Sequence, residues 1–371
     1  MNKTRVINVL YNNQNVGTMA LYNKALCAFE YSDTWLDNGF SISPLSIPLE
    51  KKVFIPNYDP FNGLFGVFSD SLPDGWGQLL LDRLLVKKKI NPRELNPLER
   101  LSIIGSSGMG GLTYVPEINI ERNTTDYNLD QIAEECSRIL KNEDSGDLDS
   151  LFILGGSSGG ARPKMLTTVN GEDWIIKFPS SLDTDNIGKE EFDYSNCAME
   201  CGIVVEETKL FPSNKCSGYF GTKRFDRNTH FKPHMISVSG LLEVTHRIPN
   251  LDYNILMKLT LQLTKDMLQC EQLFRLMCFN VFANNRDDHS KNFSFLYNHI
   301  TKAWTLSPAY DLTHSFSLGG EHATTINGNG RDPGIKDILE VANIIGLNKT
   351  KAKQIALEIK DSVYTNLKNY L

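Results

Sequence analysis

Between Glu271 and Asn284, apolar side chains occupy almost every face of one helical stretch: Leu273, Phe274, Leu276, Met277, Phe279, Val281 and Phe282. A helix that is hydrophobic all round must lie inside a domain, so a good part of the chain has to wrap around it. The 371 residues are enough for two or three cores at roughly 100–200 residues per domain. The segment after this helix has the opposite character, the charged run Arg286-Asp287-Asp288-His289-Ser290-Lys291-Asn292. A polar loop anchored on a buried helix is held by a rigid element, which is where precise chemistry is best placed.

The rest of the chain falls into recognisable pieces. Arg5–Leu10 and Val16–Leu21 alternate around Asn12–Asn15 and read as a hairpin. Gly75–Lys89 has helical spacing, with Trp76, Leu79, Leu80, Leu81, Leu84 and Leu85 on one broad face. A second helix is expected over Leu98–Ile104, then a flexible Gly-rich connection at Gly105–Gly111 and a short strand at Leu112–Val115. Lys141–Ser150 reads as a linker. Leu151–Leu154 and Met165–Val169 are expected as strands flanking a second Gly-rich loop, and Asn170-Gly171 is a strong turn signal leading into Asp173–Phe178. A helix over Lys189–Cys201 should end at Gly202, and from Leu251 onward the chain is mostly helical, broken by one hairpin near 293–306.

Several function classes are disfavoured. A formal net charge of −6 gives no general attraction to nucleic acid, and Lys87-Lys88-Lys89 is short enough to be a solvated helix face. The N-terminus lacks a signal-peptide core, and no stretch approaches the ~18 apolar residues of a membrane span. The seven cysteines form no Cys-x-x-Cys pair, and Cys197 and Cys201 read as small buried thiols on a helix. His230 and His234 have a spacing that suits a metal, but Pro233 interrupts it, and both read as surface histidines. The chain therefore reads as reduced and cytoplasmic.

Four separated segments carry chemistry. Gly155–Lys164 holds Gly156, Ser157, Ser158, Gly159 and Gly160, whose backbone N–H groups can approach phosphate oxygens; no Gly-Lys-Ser/Thr closes a Walker A loop. Lys177, inside the apolar run Trp174–Phe178, is costly to bury unless its ammonium finds anions. A phosphate is one partner, with Glu191 on the following helix holding the lysine in place; an edge-strand lysine reaching solvent is the other reading. Asp287 and Asn292 have the Asp-x-x-x-x-Asn spacing in which an aspartate orients an attacking hydroxyl and an asparagine oxygen binds Mg²⁺. The hairpin Phe293–Tyr297/Ala303–Leu306 then returns the chain to Ser307-Pro308-Ala309-Tyr310-Asp311, so that Asp311 should arrive beside both. Two carboxylates and an amide oxygen suit a hard cation. His289, inside the loop, is expected to prop it through hydrogen bonds or to act in catalysis.

Asn285–Phe293 and Leu306–Leu312, together with Trp174–Pro179, Gly218–Arg227 and Phe68–Gly75, resemble the HipA family over nearly the whole chain. The resemblance implies a serine/threonine protein kinase using ATP and Mg²⁺, the growth-arresting toxin of a toxin–antitoxin pair. Its implied partners are a small helix-turn-helix antitoxin, through which DNA is met only indirectly, and a protein substrate such as an aminoacyl-tRNA synthetase. It also implies that Asp287 is catalytic, that Asn292 and Asp311 hold Mg²⁺, and that Lys177 contacts ATP phosphates. Ser157, or its neighbour Ser158, would be autophosphorylated. Gly156–Gly160, Lys164, Arg224 and Phe225 complete the expected nucleotide site, with Arg224–Asp226 near the adenine-side hinge. The expected architecture is α+β: a β-rich N-terminal subdomain (residues 1–145), a kinase-like N-lobe with the Gly-rich loop (146–229), and a helical C-lobe (230–371). A small-molecule or lipid phosphotransferase, or a catalytically idle co-repressor, would share much of this pattern.

Overall fold

The computed structural model describes residues 4–118, 128–143, 148–181, 183–227, 232–316 and 318–371. Two compact units emerge, one of residues 1–188 with 210–244, the other of 189–209 with 245–371. The expected boundary at residue 145 falls inside the first unit, so the N-terminal sheet and the Gly-rich loop share it.

In the first unit, Val6–Tyr11, Gln14–Tyr22, Leu26–Tyr31 and Leu112–Val115 form an antiparallel sheet with Val6–Tyr11 between Gln14–Tyr22 and Leu112–Val115. The first hairpin turns tightly at Asn12 and Asn13, both with positive φ, where the sequence pointed to a four-residue turn. Asparagine tolerates that backbone region, and a two-residue turn of this hand matches strand twist. Ile7, Val9, Tyr11, Val16, Met19 and Phe29 make the buried face.

The helix Gly75–Lys87 buries Trp76, Leu80, Leu81, Leu84 and Leu85, as its spacing required. Against it lies a second helix, Leu148–Gly155, where a strand over Leu151–Leu154 was expected. A four-residue apolar run is ambiguous by itself. Here Leu148, Leu151, Phe152 and Gly155 fall at helical spacing and are buried, and Asp149 reaches Lys87 at 3.1 Å. The Gly-rich loop therefore joins a helix to the strand Lys164–Val169. That strand pairs with Glu172–Lys177 through the Asn170-Gly171 turn, and Tyr219–Lys223 extends the sheet. Trp76, Phe152, Trp174, Ile176 and Phe178 belong to one core, each large apolar side chain contributing about 1.5–3 kcal/mol.

The second unit is built on the helix Met267–Phe282, which buries Cys270, Leu273, Phe274, Leu276, Met277, Phe279 and Val281. It starts four residues before Glu271 because Asp266 accepts the Leu268 N–H at 2.9 Å and caps it. Tyr253–Thr264 and Lys349–Asn366 pack on it, and Ile335–Ile344 joins them. The expected hairpin forms as Ser294–Asn298/Ala303–Leu306, its first strand one residue later than expected and Phe295 opposite Leu306. Among the described residues, no helix is long and apolar enough to cross a membrane.

Candidate active site

The chemistry of the second unit begins where its buried helix stops. Asn284 takes a left-handed backbone, and Arg286 ties its guanidinium to the Gly320 carbonyl at 2.7 Å. Asp287 is exposed, whereas its neighbour Asp288 is 1 % exposed. One Asp288 carboxylate oxygen accepts from the Tyr253 hydroxyl at 3.1 Å and lies 3.2 Å from His322 Nδ1. The other accepts the Thr324 N–H at 3.1 Å, and the Asp288 carbonyl accepts the Thr324 hydroxyl. Asn280 donates to Tyr253 at 3.0 Å and accepts from Asn285 at 3.0 Å, so the network returns to the helix end. A buried carboxylate satisfied in this way fixes the loop, because any displacement strands polar groups without water.

Asn292 donates its side-chain N–H to the Asp287 carbonyl at 2.7 Å, which leaves the amide oxygen as the atom available to a cation. The spacing read from the sequence thus corresponds to direct contact. The Tyr310 hydroxyl donates to the Lys291 carbonyl at 2.6 Å and meets the Ser294 hydroxyl at 2.7 Å. Asp311 follows at once, with φ of 54° turning the chain sharply. The hairpin therefore brings the segment carrying Asp311 to the one carrying Asn292. Among the described residues, no group of three or more His, Cys, Asp or Glu side chains could hold a metal. The segments joined here carry Asp287, Asn292 and Asp311, whose side chains bear the oxygen donors that a hard cation takes.

Among the described residues the His289 side chain makes no hydrogen bond to the loop; its carbonyl accepts the Asn292 N–H at 2.8 Å and its ring faces His246 at 5.2 Å. Its Nδ1 is buried without a hydrogen-bond partner among the described residues. The propping expected of it is done by Asp288. Glu191 is buried on the helix Ile187–Glu200, and the adjacent Glu190 accepts from Thr313, two residues beyond Asp311, at 3.2 Å.

In the first unit, Lys177 lies directly across the strand pair from Lys164. Cross-strand partners share a face, and two ammonium groups so placed repel unless an anion lies with them. Lys177 also sits 5.6 Å from the centre of the Phe220 ring, and Lys164 is buried. The Gly-rich loop rests on the start of the helix Gly75–Lys87: Trp76 donates its N–H to the Gly160 carbonyl at 2.9 Å, and Gly160 donates to the Asp74 carboxylate. A Cβ on Gly75 or Gly77 would overlap the carbonyl oxygen of Gly160 or Ser158, so only glycine permits this approach. Ser157 is buried, and the Ser158 hydroxyl donates to the Gly155 carbonyl at 2.5 Å.

Arg224 is taken up by a structural pair, with Nε and Nη2 each 2.8 Å from the Asp226 carboxylate. Arg227 adds a bond to Asp226 at 2.9 Å and reaches the Gly108 and Gly110 carbonyls, while Gly110 donates to Asp226 at 2.8 Å. Gly105–Gly111, expected as a flexible connection, is in its second half a docked turn. Burial works to raise the Asp226 carboxyl, but the Arg224 and Arg227 charges and the Gly110 N–H bring it down to about 2. His234 is fully buried, Nε2 to the Ile42 carbonyl at 2.8 Å, where a surface histidine was expected; burial pushes it down to about 4. It packs between Tyr11 and Phe40, contacts made by residues two hundred positions away. His230 lies outside the described residues.

The sequence reading missed Asp288 and Asp74, since a buried acceptor and an exposed one look alike in a string. For the N-terminal segment Phe68–Gly75 the structure supplies the reason: Asp70 accepts the Ser237 N–H and hydroxyl at 2.7 and 2.8 Å, Ser71 accepts from Tyr114 at 2.7 Å, and Asp74 holds Gly160.

Comparison with known proteins places these features in one group. The model of the HipA N-terminal domain matches residues 7–115, and that of the HipA-like C-terminal domain matches residues 156–367. A curated relative, "Putative kinase Y4dM" of Sinorhizobium fredii, is 24% identical over 346 residues, covering 88% of this chain and 81% of its own. Among solved structures, HipA of Shewanella oneidensis, in complex with HipB and operator DNA, superposes with a TM-score of 0.70. That match has 16% identity and covers 98% of this chain and 97% of the other. The fold is thus the α+β fold of HipA, and the chain belongs to the HipA family.

Proposed function

We propose that the chain is a serine/threonine protein kinase that transfers the γ-phosphoryl group of ATP, acting as the toxin of a HipBA-like pair. The observation that carries this reading is the bond from Asn292 to the Asp287 carbonyl, within a loop anchored by Asp288. It ties the Asn292 side chain to the backbone of the exposed Asp287, with the Asp311 segment tied alongside through Tyr310. Asp287 orients the attacking hydroxyl and takes its proton as the new O–P bond forms. Asn292 and Asp311 are the residues that would hold Mg²⁺, which when bound neutralises charge on the phosphates. Lys177, with Lys164 across from it, offers ammonium charge to phosphate oxygens.

Both serines of the Gly-rich loop are buried. Autophosphorylation of Ser157 or Ser158 therefore takes place with the loop lifted off Gly75–Gly77, and a dianionic phosphoserine there would repel ATP phosphates and disfavour its return. Glu191 is assigned to hold the lysine, and a helix-turn-helix protein to bind the toxin, as HipB accompanies HipA in the Shewanella complex. DNA is reached through that partner. A serine on a protein of the translation machinery is the substrate class.

The test is incubation of purified protein with γ-labelled ATP and Mg²⁺, followed by phosphosite mapping. Label on Ser157 or Ser158 that vanishes in Asp287→Asn is the expected result. Label passing only to small molecules, or persisting in Asp287→Asn, sinks the reading.

A further inference from the structure

The helix Ile187–Glu200 carries Cys197 in its last turn, and Cys201 follows the helix directly, four positions on and on the same face. They are 2 % and 6 % exposed. Cys197 Sγ also lies 3.9 Å from the Ser362 hydroxyl. Cys201, unlike Cys197, borders a surface pocket of ≈ 180 Å³ that Gly202, Arg275, Glu358 and Ser362 also line. Arg275 donates to the Cys201 carbonyl at 3.2 Å, so its positive charge stands beside the thiol. The two sulfurs are unequal. Cys201 borders open space beside Arg275, whereas Cys197 lies behind it against Ser362. A sulfur at a pocket beside a cation, with a second thiol one helical turn behind it, is the arrangement of an attacking and a resolving cysteine.

We propose that Cys201 is a peroxide-reactive thiol and Cys197 its resolving partner. The Cys201 sulfur attacks the O–O bond of a hydroperoxide; an S–O bond forms, the O–O bond breaks, and the departing hydroxide takes up a proton to become water. The Cys197 sulfur, giving up its proton, then attacks the resulting sulfenic acid. An S–S bond forms, the S–O bond breaks, and a second water leaves. Two thiols and one hydrogen peroxide thus give one disulfide and two waters.

The geometry gives this step a structural consequence. Side chains four apart on a helix have Cβ atoms about 5–6 Å apart, whereas a disulfide needs about 3.5–4.5 Å. The last turn must therefore give way. Cys201 lies just past the helix, in a turn closed by Gly202 at φ of 71°, held by Cys201 N–H to Cys197 O at 3.0 Å and Ile203 N–H to Ala198 O at 3.1 Å. The chain runs from this turn to Val204, whose carbonyl accepts the Ala309 N–H at 2.8 Å, and Val205 bridges to Ala309. Ala309 stands two residues before Asp311. Closing the disulfide pulls on the strand that seats the Asp311 segment. The effect on phosphoryl transfer rests on the proposed function; the thiol chemistry and the movement at Ala309 do not.

The full-length reduced protein is treated with hydrogen peroxide, remaining thiols are alkylated, and peptides are mapped by mass spectrometry. The expected result is loss of two of the seven thiols as a Cys197–Cys201 disulfide, reversed by dithiothreitol. In Cys197→Ser, oxidation should stop at a sulfenic acid on Cys201 that dimedone traps. Amide exchange at Ala309 should rise severalfold in the oxidised protein. Oxidation of any other cysteine while Cys201 stays alkylatable overturns the proposal, and a disulfide that leaves Ala309 exchange unchanged overturns the coupling. Kinase activity lost in peroxide should survive in Cys201→Ser. Absence of activity before peroxide refutes the kinase reading and leaves the thiol map to be read by itself.

Discussion

Two loops carry the expected chemistry, and they are held in opposite ways. Residues 284–292 are fixed by side chains, with Asp288 buried under Tyr253, His322 and Thr324. The Gly-rich loop, 155–164, lies by its backbone against Gly75 and Gly77, with two carboxylates toward its end, Asp74 on the Gly160 N–H and Asp183 on Arg162 at 3.0 Å. A buried polar network has no cheap intermediate state, because each displaced group loses its partner without gaining water. A backbone seat between glycines can be left at the cost of few bonds. The comparison teaches that the loop proposed to keep a carboxylate and an amide in register is locked, whereas the loop proposed to admit a nucleotide is held mainly through its backbone and two carboxylates.

The largest effect expected separates Asp287 from its neighbour. Asp287→Asn should lower kcat about 10²–10⁴-fold with the melting temperature nearly unchanged, because the side chain is exposed. Asp288→Ala should do the reverse in kind: a stability loss of about 3–5 kcal/mol in urea titration, as Tyr253, His322 and the Thr324 N–H lose a buried acceptor. If both variants unfold alike, the division between locked scaffold and exposed catalyst is wrong.

Acid should act first on the unit that carries the Gly-rich loop. His234 falls from its ordinary 6.5 to about 4, so the folded chain binds that proton less readily than the unfolded one. Its contribution is whole above pH 6.5 and lost as pH falls to about 4, a decline of about 3 kcal/mol. Asp226, lowered from 3.8 to about 2, then loses about 2 kcal/mol as pH drops between those values. Chemical denaturation at a series of pH values reads both windows, and His234→Phe should remove the first. The smallest effect tests the glycine seat. Gly77→Ala should cost about 1–3 kcal/mol, since its methyl group meets the Ser158 carbonyl. Calorimetry should show this loss, with the hydrogen exchange of residues 284–292 unchanged.

What could be read in the string was local. The Asp287/Asn292 spacing, the hairpin to Asp311, the Asn170-Gly171 turn and the buried helix before them depend on neighbours within about ten residues, at fixed periods. Leu151–Leu154 failed because four apolar residues have no distinguishable period, and packing on Gly75–Lys87 made them helical. Arg224 was placed at the nucleotide site by resemblance; that it is buried in a pair with Asp226, two residues on, could not be seen in the string.

The amino-acid sequence alone determined which segments would be helix, strand and loop in most of the chain, and it marked the residues that are proposed to serve phosphoryl transfer. Only the tertiary structure decided that Asp288, not His289, anchors the loop, that Asp74 holds Gly160 across eighty-six positions, and that His234 is sealed beneath Tyr11 and Phe40. The reason is physical. Backbone periodicity acts between near neighbours, whereas burial and hydrogen-bond satisfaction are settled by segments that meet only once the chain has folded.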